Sequence, residues 1–63
     1  MKHTGRIFFY NGSQLDINYD LIEINNNDEI VFKRNDDMYL TPIAMFSFKN
    51  IAGFVYDLKE DAV

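Results

Sequence analysis

Residues 6–24 read RIFFYNGSQLDINYDLIEI, and the way their side chains alternate decides the fold. Through residues 14–19 the alternation is strict: Leu15, Ile17 and Tyr19 fall on one side, Gln14, Asp16 and Asn18 on the other. Successive side chains of an extended chain point to opposite faces, so this is the pattern of a half-buried β-strand. Then the phase changes, because Ile22 and Ile24 are apolar while Glu23 is not. A shift of one residue exchanges the two faces of a strand, so the chain must bend or bulge near residues 18–20, as strands do where small barrels close. Upstream, Asn11-Gly12 is a two-residue hairpin signal, since both central positions of a type I′ turn need positive φ. In that register Tyr10 faces Ser13 and Phe8 faces Leu15.

Working outward, Asn25-Asn26-Asn27-Asp28 reads as the next turn. Residues 29–34 alternate again, Ile30 and Phe32 inward, Glu29, Val31 and Lys33 outward. Asn35-Asp36-Asp37 makes a third turn, and residues 38–41 a short strand. Pro42 has no amide donor, so this strand stops there or lies at a sheet edge. Residues 43–51 fit two patterns. Ile43, Ala44, Phe46, Ser47, Asn50 and Ile51 suit one helical turn or two, while Ala44, Phe46 and Phe48 suit a strand, and so short a run does not decide between them. Ala52-Gly53 then leads into a last strand at 54–58, followed by a flexible acidic tail at 59–63. Gly5, Gly12 and Gly53 are assigned to turns or bulges.

The whole chain, 1–63, is expected to be one small, mainly β domain. Five or six short strands form an antiparallel barrel or meander, with one short helical turn before the last strand as an option. This arrangement resembles the Sm-like barrels in architecture only. The glycine placement and RNA-contacting residues of that family are not visible here, so the resemblance carries no site residue.

Composition sets further bounds. A chain of 63 residues buries only about 60% of the surface that it exposes when unfolded. There is no cysteine, hence no disulfide or thiolate metal site, and a reducing compartment is expected. Six Phe and four Tyr supply the apolar area instead, each buried ring removing roughly 150–250 Å² from water. Ten acids against six bases give a net charge of −4, which forfeits the counterion release that drives binding to a phosphate backbone. The apolar run at residues 7–9 is too short for a signal peptide, and nothing approaches the roughly 18 apolar residues of a membrane span. A soluble, cytoplasmic protein without membrane contact follows.

No catalytic residue, metal or cofactor is expected, because a reaction cleft needs more scaffold than this chain provides. His3 is the only histidine and reads as a solvated terminal residue. Ser13 and Ser47 have no base at a suggestive spacing. Residues 25–29 lack the glycine and distal glutamate of a calcium loop, and three isolated glycines make no phosphate loop. Rings, in contrast, are in surplus. Adjacent residues in Phe8-Phe9-Tyr10 point to opposite faces, and Tyr39 lies opposite Met38 and Leu40, so some rings must face outward. Phe9, Tyr10 and Tyr39, together with the acidic turn residues Asp36 and Asp37, are therefore the candidate partner-binding residues. The function expected is a non-enzymatic protein-interaction module, a small regulator or inhibitor of the kind carried by phage and mobile elements, whose acidic surface fits a basic groove on its target. The alternatives are a subunit of a homo-oligomer joined through unpaired strand edges and, behind both, a single-stranded nucleic-acid-binding barrel with Lys2, Arg6, Lys33 and Arg34 as its cations.

Overall fold

The computed structural model describes residues 3–57, and the acidic stretch at 59–63 lies outside them. Six strands run in the order β1 (His3–Phe8), β2 (Gln14–Tyr19), β3 (Leu21–Ile24), β4 (Glu29–Asp36), β5 (Tyr39–Ser47) and β6 (Gly53–Val55), with a 3₁₀ turn at Phe48–Asn50 before the last. They form two antiparallel three-stranded sheets, β2-β1-β6 and β3-β4-β5. The phase change in the sequence is the junction of the two sheets. β2 and β3 are nearly one strand, interrupted at Asp20, whose N–H donates to the Lys33 carbonyl at 2.9 Å. Before that point Ile17 and Tyr19 face the interior, and after it Ile22 does, while Ile24 at the end of β3 is exposed.

Three hairpins set the registers. At the first, the Asn-Gly signal gives the right place and the wrong register. Ile7 pairs with Leu15 and Phe8 with Gln14, one residue away from the pairing that a two-residue turn would impose. Gly12 is at φ +90 while Asn11 keeps a negative φ, and the Gly12 N–H donates to the Phe9 carbonyl at 3.0 Å. This is a three-residue loop, a type I turn closed by a left-handed glycine. Asn11 selects it, since its Oδ1 accepts from the Ser13 N–H at 2.9 Å and from Ser13 Oγ at 2.6 Å. The slip matters: it places Ile7, not Phe8, on the interior face with Leu15. The second turn, at residues 25–28, is held by Asn25 Oδ1, which accepts from the N–H groups of Asn27 and Glu29. The third has Asp37 and Met38 between the paired Asp36 and Tyr39. Positive φ at Asp37 (55°) alone is the pattern of a type II′ turn.

The ambiguous stretch at residues 43–51 is mostly strand. β5 runs through Pro42 to Ser47, with an irregularity opposite Phe32/Lys33 that leaves Ile43 without a partner. Pro42 is tolerated because β5 is an edge strand, where a missing donor faces no neighbour. Only Phe48–Asn50 turns helically, with Ser47 Oγ accepting from the Lys49 N–H. The chain is then tied back to the first sheet by Ala52 N–H donating to the Phe8 carbonyl at 2.8 Å. The last strand is Gly53–Val55 rather than 54–58; Tyr56 and Asp57 are already outside it.

The two sheets do not close into a barrel. Among the described residues β5 and β6 pair with nothing on their outer sides, because β6 has only three residues and the β5 edge is broken by Pro42 and the unpaired Ile43. Between the sheets lies a core of Ile7, Tyr19, Ile30, Phe32 and Ile51. Phe32 joins the layers, its ring edge-on to Tyr19 at 5.3 Å and to Phe46 at 6.3 Å. Gly5 is part of this contact rather than a turn: a Cβ there would sit 3.1 Å from Phe32 Cε2 and 3.3 Å from Tyr19 Cε1. The molecule measures 36 × 36 × 15 Å. That thickness admits a single layer of interior side chains between sheets about 10 Å apart; Phe9, Phe46, Phe48 and Phe54 pack against it, and Tyr10, Tyr39 and Tyr56 stay at the surface.

Candidate functional site

The five candidate partner-binding residues fall at two places. Phe9 turns inward, its ring edge-on to Phe46 at 6.0 Å, and belongs with the core. Tyr10, next to it at the tip of the first hairpin, is 72% exposed. Asp36, Asp37 and Tyr39 lie together on the β4–β5 hairpin. Phe46 and Tyr39 are seven residues apart on β5, about 23 Å at strand rise, so Tyr10 and Tyr39 do not belong to one surface.

The β4–β5 hairpin carries the more pronounced feature. Met38 is 83% exposed and Tyr39 72%, with Leu40 also exposed beside them. Asp36 is held below the tip by Arg34, whose Nε lies 3.0 Å from both carboxylate oxygens. That hydrogen bond pulls the Asp36 carboxyl below its ordinary value and raises the Arg34 guanidinium. Asp37 takes the turn itself. The result is a tip with two large apolar side chains and an acid. Further along the edge, Ile43 and Met45 are exposed as well.

A second feature was not legible in the sequence. His3 is not a loose terminal residue. It opens β1 opposite Tyr19, its ring stacks on the Tyr19 ring at 5.3 Å, and its Nδ1 lies 2.6 Å from Asp57 Oδ1. The Asp57 N–H donates to the Tyr19 hydroxyl oxygen at 3.1 Å, and burial pushes the Tyr19 phenol above its ordinary value. His3, Tyr19, Asp20, Leu21, Ile22, Tyr56 and Asp57 line an open cavity of about 200 Å³. It adjoins the hairpin, since Asp20 Oδ2 accepts the Asn35 N–H at 2.8 Å.

No family model, no curated protein and no solved structure matches the chain. Its chemistry therefore rests on its own residues. A histidine oriented by a carboxylate is half of an acid–base pair, yet neither Ser13, in the first hairpin, nor Ser47, at the 3₁₀ turn, lines the cavity. Among the described residues no group of three or more His, Asp or Glu converges as a metal site. None of their helices is long and apolar enough to cross a membrane. The cations proposed for a nucleic-acid face are spent locally: Arg6 on Asp16, Lys33 on Glu23, and Arg34 on Asp36. Lys2 lies outside the described residues.

Proposed function

We propose that this protein is a non-enzymatic interaction module that docks on another protein through its β4–β5 hairpin. The carrying observation is the pair Met38 and Tyr39, adjacent, both more than two-thirds exposed and set on a turn just beyond the Arg34–Asp36 pair. Met38, Tyr39 and Leu40 are exposed side by side, and a contiguous apolar patch is a mark of an interaction surface. Aromatic side chains beside a small polar rim are the usual anchors of protein interfaces. The pairing of Arg6, Lys33 and Arg34 with carboxylates leaves the field acidic, which favours a basic protein target over nucleic acid. A regulator or inhibitor acting in a reducing cytoplasm suits a chain with no cysteine.

The test is affinity capture from cell lysate with wild type and with Met38→Ser/Tyr39→Ser as baits. At least one protein is expected on the wild type and absent from the variant; identical sets on both baits would refute hairpin docking. A second reading, self-association, is favoured by the exposed Leu40, Ile43 and Met45 along the free β5 edge. Strand addition there, or between β5 and β6, would also complete the barrel. Sedimentation from micromolar to millimolar protein separates the two, since edge pairing predicts a dimer that forms with concentration and docking predicts a monomer throughout.

A further inference from the structure

We infer that the outer edge of β5 pairs with β5 of a second copy of this chain, antiparallel and about a two-fold axis between Pro42 and Met45. The inference rests on the second reading above, self-association, and gives it a surface and a register. The direction of the backbone groups decides that register. At the far end of the strand the Phe48 N–H donates to the Asp28 carbonyl at 2.9 Å, so Phe48 turns towards β4. Backbone groups alternate in direction along an antiparallel strand, hence Ser47 and Met45 turn theirs outward. At the near end Tyr39 closes a two-residue loop opposite Asp36, and the closing pair of such a loop is hydrogen-bonded. Leu40 and Pro42 therefore point outward too. The phase difference between the two halves is taken up at Ile43, which has no partner on β4.

The outward set, Leu40, Pro42, Met45 and Ser47, keeps its spacing when the strand is reversed. A second copy laid antiparallel places its Ser47 opposite Leu40 and its Met45 opposite Pro42. Leu40 and the second copy's Ser47 exchange both bonds, whereas Pro42 accepts from Met45 but has no N–H to return. Charges complete the match. β5 has nine residues and none is charged, although edge strands are commonly guarded by charge. Its flanking charges stand just beyond its ends, Asp37 before and Lys49 after, both exposed. Among the described residues neither of these side chains has an ionic or hydrogen-bonding partner, and Lys49 is the one Lys or Arg that no carboxylate holds. The reversed strand brings Lys49 of each copy to Asp37 of the other. The joint also covers Leu40, Ile43 and Met45, which are exposed in the single chain. β6, the other free edge, offers only three residues.

The chain has no cysteine, so introduced thiols report the register without interference. Leu40→Cys and Ser47→Cys are made as separate variants of the full chain, then oxidised alone and mixed. Residues opposed at a hydrogen-bonded site have Cα atoms about 5.5 Å apart, within disulfide range. A covalent dimer is expected from the mixture and from neither variant alone, because like positions lie about 23 Å apart along the joint. Sedimentation of the wild type from micromolar to millimolar should show a dimer. Lys49→Asp should weaken it about tenfold, since two exposed ion pairs become repulsions. Asp37→Asn, tolerant of the φ of 55° there, should weaken the wild-type dimer yet strengthen that of Lys49→Asp. A dimer that cross-links alike in all three samples, or ignores both charge changes, overturns this register and leaves self-association standing. A monomer at every concentration overturns both and leaves hairpin docking, which lysate capture with the Met38/Tyr39 variant reads separately.

Discussion

Phe32 shows how few side chains carry this molecule. It is fully buried and touches rings from both sheets, Tyr19 on one and Phe46 on its own. Truncating a buried Phe costs about 3–5 kcal/mol, while a domain of this length has roughly 3–9 kcal/mol in total. Phe32→Ala should therefore abolish or nearly abolish the cooperative thermal transition seen by circular dichroism; an unshifted transition would contradict its bridging role. Charged residues act more weakly and with a definite sign. Hydrogen bonds from Arg6 and Arg34 hold the Asp16 and Asp36 carboxyls below their ordinary values, so the folded protein binds protons there less readily than the unfolded chain. The resulting stabilisation is complete above the ordinary aspartate range, and it drains away as pH falls through the lowered folded values. Both pairs are exposed, so the effect is small. Urea unfolding below about pH 4 should show a shallower acid decline for Arg6→Gln/Arg34→Gln than for wild type, and an unchanged slope would contradict the assignment.

At the scale of elements, the two structural glycines in strands separate by what surrounds them. Gly5 lets the sheets approach, and a Cβ there meets two packed rings, so Gly5→Ala should destabilise by about 1–3 kcal/mol as overpacking does. Nothing lies within 4 Å of a Cβ on Gly53, so Gly53→Ala should be neutral or stabilise by about 0.4–1 kcal/mol through the unfolded chain. Chemical unfolding of the two variants checks both, and equal effects would contradict the sheet-to-sheet contact at Gly5. The sequence shows the strands but not the close approach, because Gly5 meets Phe32 across 27 positions of chain. The break at Asp20 is legible from local alternation alone. The register of the first hairpin is not, since Asn11-Gly12 suits both a two-residue and a three-residue loop and the choice falls to the Asn11 side chain. β5 is obscured for a similar reason. Pro42 reads as a stop, and the unpaired Ile43 shifts the alternation, so one strand looks like a short strand followed by a helical turn.

For the whole molecule, what is legible is the surplus of rings over a core too thin to hold them; that Met38 and Leu40 are exposed together with Tyr39 is not, because Met38 belongs to the turn and the strand alternation does not govern it. The cavity beside the hairpin is illegible, because it is assembled from residue 3, residues 19–22 and residues 56–57, which no local pattern connects. The same geometry explains why His3 is mistaken for a solvated residue: its partner Asp57 lies at the other end of the described chain. The docking proposal needs Met38 and Tyr39 to be dispensable to the fold. Urea unfolding of Met38→Ser/Tyr39→Ser measures this directly. The midpoint should stay within about 0.5 kcal/mol of wild type, as for surface substitutions. A loss of about 2 kcal/mol or more would place these side chains in the core and contradict a docking surface at the β4–β5 tip.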